Sequence, residues 1–370
     1  MKIHFLLHKF QFEIKSYISI IVILSFFSCK QIEHSKIEFT EFPETINKST
    51  ELRLFEGKVQ YACTYTFDSI LAAIDPWTER GFCIKYYNKT TMKYLGQTGR
   101  IGKAPDEIIR PMYPTIDRTG KRIFIVDEGR NRKIFEYSVE KSLKDTSYIP
   151  KAIFEIGMNC YYASDLTYCD NDLFSFKYSQ THEDSTEYLN SFIDLKERKI
   201  DSYTELPLKK EIPTEAFYDF SMRNSCYRNG IIFTAFQYHD KIIAYDAENR
   251  KIIFEINGPD LIKPEVELRG DRWVPENTER VMTYTSVTAS DEYVFGLYSG
   301  VSETINNYAP YSTNIIHVFD HTGNPVRKLI LDRQVLQISY DDETNSLFGI
   351  SGNETTMETN GIVWIELGSG

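Results

Sequence analysis

Residues 241–256 read KIIAYDAENRKIIFEI, two apolar runs hinged on the polar turn Asp246-Ala247-Glu248-Asn249-Arg250. β-Branched and aromatic residues favour extended chain, and Asp and Asn at a hinge bond the nearby backbone of a tight turn. The same pair of runs recurs along the chain. It reads GFCIKYYNKTTMKYLG from Gly81, and KIFEYSVEKS from Lys133 with SYIPKAIFEI from Ser147 as its outer run. It reads SFIDLKERKIDSYTEL from Ser191 and IIHVFDHTGNPVRKLILD from Ile315. A last half-copy, GIVWIEL from Gly361, lacks its second run.

Aligning the copies superposes Tyr87, Tyr137, Asp194, Asp246, Asp320 and Glu366, with a longer gap before Asp320. Two further β-rich runs precede each pair, as in YPTIDRTGKRIFIVDE from Tyr113 and SVTASDEYVFGLYSG from Ser286. Four strands in a unit of roughly 50 residues is the spacing of a β-propeller blade. The expected fold is therefore all-β: a six-bladed β-propeller with four antiparallel strands per blade. A count of seven stays open, because unit boundaries drift by several residues. The half-copy needs a partner, and ELRLFEGKV at residues 51–59 is a spare strand at the other end of the chain. Pairing the two would close the ring and remove two open sheet edges.

Bulk composition agrees. The chain has 370 residues with 14 % aromatic content, including 25 Tyr and 24 Phe. A net charge of −11 and the lack of any Lys/Arg-rich run argue against a nucleic-acid binder, which needs basic surface.

The N-terminus reads as an export signal. The apolar run YISIIVILSFF at residues 17–27 follows Lys2, Lys9 and Lys15 and is too short to span a bilayer. Ser28-Cys29 at its end resembles a bacterial lipobox, in which the Cys thiol takes a diacylglyceryl group. Glu13 and the bulky Phe26 and Phe27 depart from the strict pattern, and resemble the relaxed lipoboxes of Bacteroidota lipoproteins. A plain cleaved signal or a short membrane anchor is the alternative. The expected division is a signal peptide at 1–28, a flexible tether at 29–48 and the propeller at 49–370. Five Cys remain besides Cys29, without a CxxC, and read as buried thiols. A Cys160–Cys169 pairing stays open.

Two stretches carry family resemblance. Gly96, Gly99, Gly102, Pro105 and Glu107, then Asp117, Gly120, Asp127 and Asn131-Arg132, resemble an NHL repeat. YVFGLYSG (293–300), NIIHVFDHTGNPVRKLILD (314–332) and SLFGIS (346–351) resemble the TolB-like six-bladed propeller lipoproteins of Bacteroidota. That resemblance implies the fold and an exported, lipid-anchored protein, expected at the outer membrane. It transfers no catalytic residue.

Chemistry-bearing motifs are sparse. No metal site or cofactor is expected, since His317 and His321 alone make too few ligands. The carboxylate pairs Asp127-Glu128 and Asp341-Asp342 read as exposed turn caps. Two segments exceed what a blade needs: residues 258–280, holding Arg272 and Trp273, and residues 301–314, holding Tyr308 and Tyr311. Long loops are often functional, and aromatic and Arg residues are common anchors at binding surfaces. These four residues are the expected ligand contacts. The leading functional reading is a non-enzymatic binding or scaffold module for a glycan, peptide or envelope protein. The alternative is a hydrolase or lyase with its site at the channel mouth.

Overall fold

The computed structural model describes residues 34–368, apart from 61–62, 76–77, 105, 130–131, 146, 158–159, 181–186, 206–221, 271, 276–279, 303–310 and 352–357. Cys29 and the expected signal peptide at 1–28 lie outside the described residues. Three strands open the described chain: β1 (Ser35–Glu38), β2 (Thr45–Lys48) and β3 (Glu51–Gln60). Blade one follows as β4 (Cys63–Phe67), β5 (Ile70–Ile74), β6 (Phe82–Asn88) and β7 (Tyr94–Arg100). Blade two is β8 (Pro111–Asp117), β9 (Arg122–Asp127), β10 (Lys133–Ser138) and β11 (Lys151–Glu155), with the short helix α1 (Val139–Lys144) before its last strand. Blade three is β12 (Cys160–Tyr168), β13 (Leu173–Gln180), β14 (Glu187–Asp194) and β15 (Lys199–Glu205). Blade four is β16 (Arg223–Arg228), β17 (Ile231–Phe236), β18 (Lys241–Asp246) and β19 (Lys251–Asn257), with β1 as a fifth strand on its outer edge.

A separate hairpin, β20 (Val266–Arg269) and β21 (Arg272–Pro275), stands in the insertion before blade five. Blade five comprises β22 (Val281–Ala289), β23 (Tyr293–Ser302), β24 (Thr313–Asp320) and the first part of β25 (Pro325–Asp341). That strand continues without a break into blade six, where it pairs with β26 (Ser346–Ser351). β27 (Glu358–Glu366) and then β3 complete blade six.

The six-bladed expectation and its N-terminal closure are both met. β27 and β3 pair antiparallel, with Gly361 opposite Leu54, Ile362 opposite Arg53 and Val363 opposite Leu52. The Arg53 guanidinium lies 3.8 Å over the Trp364 ring, which fixes the pairing from the side. The aligned positions Tyr87, Tyr137, Asp194, Asp246, Asp320 and Glu366 all fall near the end of the third strand of their blades. Three of them show why the turn repeats. Asp194, Asp246 and Asp320 each accept two backbone N–H groups from the following turn, at 2.8–3.0 Å.

Second strands such as IIFTAF (231–236) are buried along almost their whole length. Each blade packs a neighbour on both faces, so these strands read as continuous apolar runs instead of alternating ones. Among the described residues the core accordingly divides into six clusters, one at each junction between successive blades. Phe348 and Ile362 of blade six meet Leu71 and Tyr87 of blade one in the cluster that completes the circle.

Two expectations need correction. Residues 35–48 are not an irregular tether. β1 edges blade four, Phe39 and Phe42 pack into the cluster between blades four and five, and β2 pairs parallel with β25. This strap covers the outer edges of two blades before β3 enters the third. The carboxylates Asp127 and Asp341 are buried, not exposed, because each has partners that compensate burial. Asp127 accepts backbone N–H groups from Ile109, Arg110 and Gly129, and Asp341 takes the Lys89 ammonium. The glycine-rich stretch serves the passage from blade one to blade two. Gly99 has φ +74°, and a β-carbon there would lie 2.6 Å from the Cys83 sulfur. The thiols of Cys63, Cys83, Cys169 and Cys226 are free, and Cys83 and Cys169 are buried.

Candidate functional site: the central channel

The innermost strand of every blade faces the axis, and together they line a cavity of about 570 Å³. This is a normal size for a ligand pocket. The inner strands are joined by a polar contact at each of the six junctions. Tyr65 donates its hydroxyl to the Pro114 carbonyl at 2.7 Å, and the Tyr168 N–H donates to Thr115 Oγ1 at 3.0 Å. Arg223 Nε donates to Asp165 Oδ2 at 3.0 Å, and Asn224 Nδ2 to the Thr285 carbonyl at 3.0 Å. Ser286 Oγ donates to the Ile338 carbonyl at 3.3 Å, and the Thr64 N–H to Gln337 Oε1 at 3.0 Å. Much of the polarity of the inner strands therefore holds the ring together.

Two positions exceed that need. The pairing of β8 with β9 slips between Met112 and Thr115, and that of β12 with β13 between Ser164 and Thr167. Inside these bulges Tyr113 and Asp165 adopt left-handed backbone, with φ of +49° and +59°. Both line the cavity. For a bulky residue such as Tyr this conformation is costly, and bulges re-aim side chains next to functional sites. Asp165 is held by Arg223 and Ser225, and burial pushes its carboxyl above the usual range against the pull of those two partners.

Strand direction alternates within a blade. The turns from first to second strand therefore share one face of the propeller, and the links between blades share the other. At the first face Arg118 of blade two and Arg228 of blade four both reach Asp342 of blade six, at 3.1 and 2.6 Å. Alternate blades lie a third of a turn apart, so these side chains meet over the axis. Arg228 also pairs with Asp291 of blade five at 2.7 Å. The result is an ion-paired plate that floors the channel.

The opposite face carries both insertions, because one links β19 to β22 and the other links β23 to β24. Arg272 and Trp273 lie on β21, paired with Arg269 and Leu268 of β20. Their side chains, and all of Tyr308, lie outside the described residues. Tyr311 is half-buried and packs against both the cluster between blades three and four and the cluster between blades six and one. It is thus brought towards the axis, but it is not among the residues that line the cavity. His317 is buried on blade five, stacked on Tyr298 at 4.2 Å between ring centres and bonded to Tyr284. Burial lowers its pKa to about 3, so it is a neutral core residue.

A family profile described as TolB-like 6-blade propeller-like matches residues 41–343. The chain belongs to the TolB-like six-bladed propeller family. This TolB-like propeller is similar to the crystal structure of a predicted exported protein from Bacteroides fragilis, with TM-score 0.56 and 12 % identity over 90 % of this chain and 99 % of that one. It is also similar to a Bacteroides thetaiotaomicron protein of unknown function, with TM-score 0.50 and 9 % identity over 88 % of this chain and 75 % of that one. At such identities the likeness shows the fold alone. No curated protein matches the sequence.

The channel residues Tyr113, Asp165, Arg223, Arg118, Arg228 and Asp342 were not singled out as ligand contacts by the sequence. A bulge leaves no composition signal, and partners such as Arg118 and Asp342 are 224 positions apart.

Proposed function

We propose that this TolB-like propeller is a non-enzymatic binding module of the bacterial cell envelope, exported by residues 1–28 and held by lipid on Cys29. Its ligand sits in the channel, entered from the face that carries the hairpin of β20 and β21, and Arg272, Trp273, Tyr308 and Tyr311 are its proposed additional contacts. The observation that carries this reading is the floored cavity of about 570 Å³ with two left-handed residues, Tyr113 and Asp165, on its wall. Strain of this kind costs about 1–3 kcal/mol per residue and persists where function needs the geometry.

Binding is favoured over hydrolysis by the chemistry of the lining. Among the described residues the cavity has no histidine, and Asp165 is already committed to Arg223 and Ser225. The Ser225 hydroxyl does donate to Asp165, but the Arg223 guanidinium shares that carboxylate and weakens it as a base. The test is native mass spectrometry of the mature chain with a mixed library of oligosaccharides and peptides. A saturable one-to-one adduct that disappears in Tyr113→Gly supports the reading. Turnover of a library member, or an adduct indifferent to Tyr113, contradicts it.

A further inference from the structure

We infer that the channel ligand is a neutral, hydroxyl-rich molecule, a short uncharged glycan, recognised by the side-chain amides of Asn224 and Gln337. This rests on the reading of the channel as the binding site. The first ground is charge. Arg118 and Arg228 line the cavity but are matched by Asp342 and Asp291, and Arg223 is matched by Asp165. Tyr227 is hydrogen-bonded to the lining carboxylate Asp170, and Lys177 is engaged within the fold. Most of the lining charge is thus paired within the fold, so a charged ligand would give up its hydration for little Coulombic return, and burying an unpaired charge is strongly unfavourable.

The second ground is hydrogen-bonding capacity. Asn224 spends its amide N–H on the Thr285 carbonyl, which leaves its carbonyl oxygen as an acceptor. Gln337 spends its carbonyl on the Thr64 N–H, which leaves its NH₂ as a donor. Among the described residues neither remaining group has another partner, and both residues line the cavity. They stand on blades four and six, on either side of blade five. One acceptor and one donor set apart in this way fit a ligand whose groups both donate and accept, as sugar hydroxyls do. The lining residues Ser164 and Tyr113 extend the same surface. An aromatic ring at the wall of a hydroxyl-lined pocket suits the apolar face of a pyranose.

The test uses calorimetric titration of the mature chain with defined probes. The neutral set is N,N′-diacetylchitobiose, maltotriose and xylobiose. The charged set is deacetylated chitobiose and digalacturonate, and a capped dialanine serves as a neutral peptide. A neutral sugar is expected to bind with an affinity that hardly changes between low and high salt, since no ion pair forms. Gln337→Glu keeps the acceptor for Thr64 N–H but removes the donor and adds a charge. It should weaken the neutral sugar at least tenfold and admit deacetylated chitobiose. Tyr113→Gly, which introduces no charge, should weaken the same sugar comparably. Preference for a charged probe or for the peptide, with loss in Tyr113→Gly, overturns the glycan class and leaves the channel as the site. Binding untouched by either variant, or binding of no probe, overturns the glycan proposal, and the first of these removes the channel reading with it.

Discussion

Lys89 and Asp341 stand 252 positions apart in the chain, yet the Lys89 ammonium lies 2.9 Å from the Asp341 carboxylate with both side chains buried. Lys89 follows the third strand of blade one and Asp341 ends the first strand of blade six, so the pair bridges the junction where the ring closes. Glu343 adds a second carboxylate from the exposed side, at 2.6 Å. Burial works against ionisation of Asp341, but hydrogen bonds from Thr344 and Lys89 outweigh it and hold the carboxyl below its usual range.

Lys89→Met should leave Asp341 buried and unpaired and destabilise the fold by about 3–5 kcal/mol. The double variant Lys89→Met/Asp341→Leu should recover much of that loss, because two apolar side chains need no counter-ion. Urea unfolding of the three proteins checks this. A single variant as stable as the parent would show that the pair does not hold the junction.

Closure by β3 depends on a glycine. A β-carbon at Gly361 would lie 2.2 Å from the Arg53 carbonyl oxygen, a backbone atom with little room to shift. Gly361→Ala should therefore cost about 1–3 kcal/mol and increase hydrogen exchange along Glu51–Gln60 before the rest of the sheet. Equal protection in the two proteins would mean that the junction tolerates the added methyl group.

Asp240 gives the fold a pH dependence. It is buried at the turn between β17 and β18 and accepts the Asp260 N–H at 2.9 Å, at the root of the long insertion. Burial raises its pKa to about 7 from 3.8, against hydrogen bonds from Asp260 and Tyr284. The folded value exceeds the unfolded one, so this contribution is complete below pH 3.8 and is lost as pH rises towards 7. The loss is of order 4 kcal/mol at most. Asp240→Asn should flatten the fall in melting temperature between pH 4 and 7, and an unchanged slope would contradict the assignment.

Anchoring has its own readout. Cys29→Ala should abolish labelling by a palmitate analogue and move the protein from the membrane fraction to the soluble fraction. Labelling that survives the substitution would place any lipid elsewhere.

The repeat was legible because its turns are chemical. Asp194, Asp246 and Asp320 must cap the same turn, so the same residue returns in the same place. Closure was legible because GIVWIEL lacked a partner that ELRLFEGKV could supply. The strap was not legible, since SKIE and TINK are short, polar edge strands without a usable alternation. Nor was the channel. Asp165 and Arg223 look like ordinary surface residues until blades three and four bring them within 3.0 Å. The left-handed backbone of Tyr113 has no sequence counterpart, because glycine or asparagine would be expected there.

The claim that the channel holds the ligand is tested most directly at Tyr113. Glycine relieves the left-handed strain there, and its extra unfolded-state entropy of about 0.5–1 kcal/mol offsets the gain. The Tyr113 ring also packs against the cluster between blades two and three, so its loss should lower stability by about 1–3 kcal/mol without unfolding the propeller. The measurement is the affinity of the mature chain and of Tyr113→Gly for the tightest neutral oligosaccharide, with melting temperatures recorded on the same samples. The account predicts an affinity loss of about tenfold or more in protein that the melting curve shows to be folded at the temperature of the titration, as for an aromatic anchor in a binding site. Equal affinity in the two proteins would contradict it.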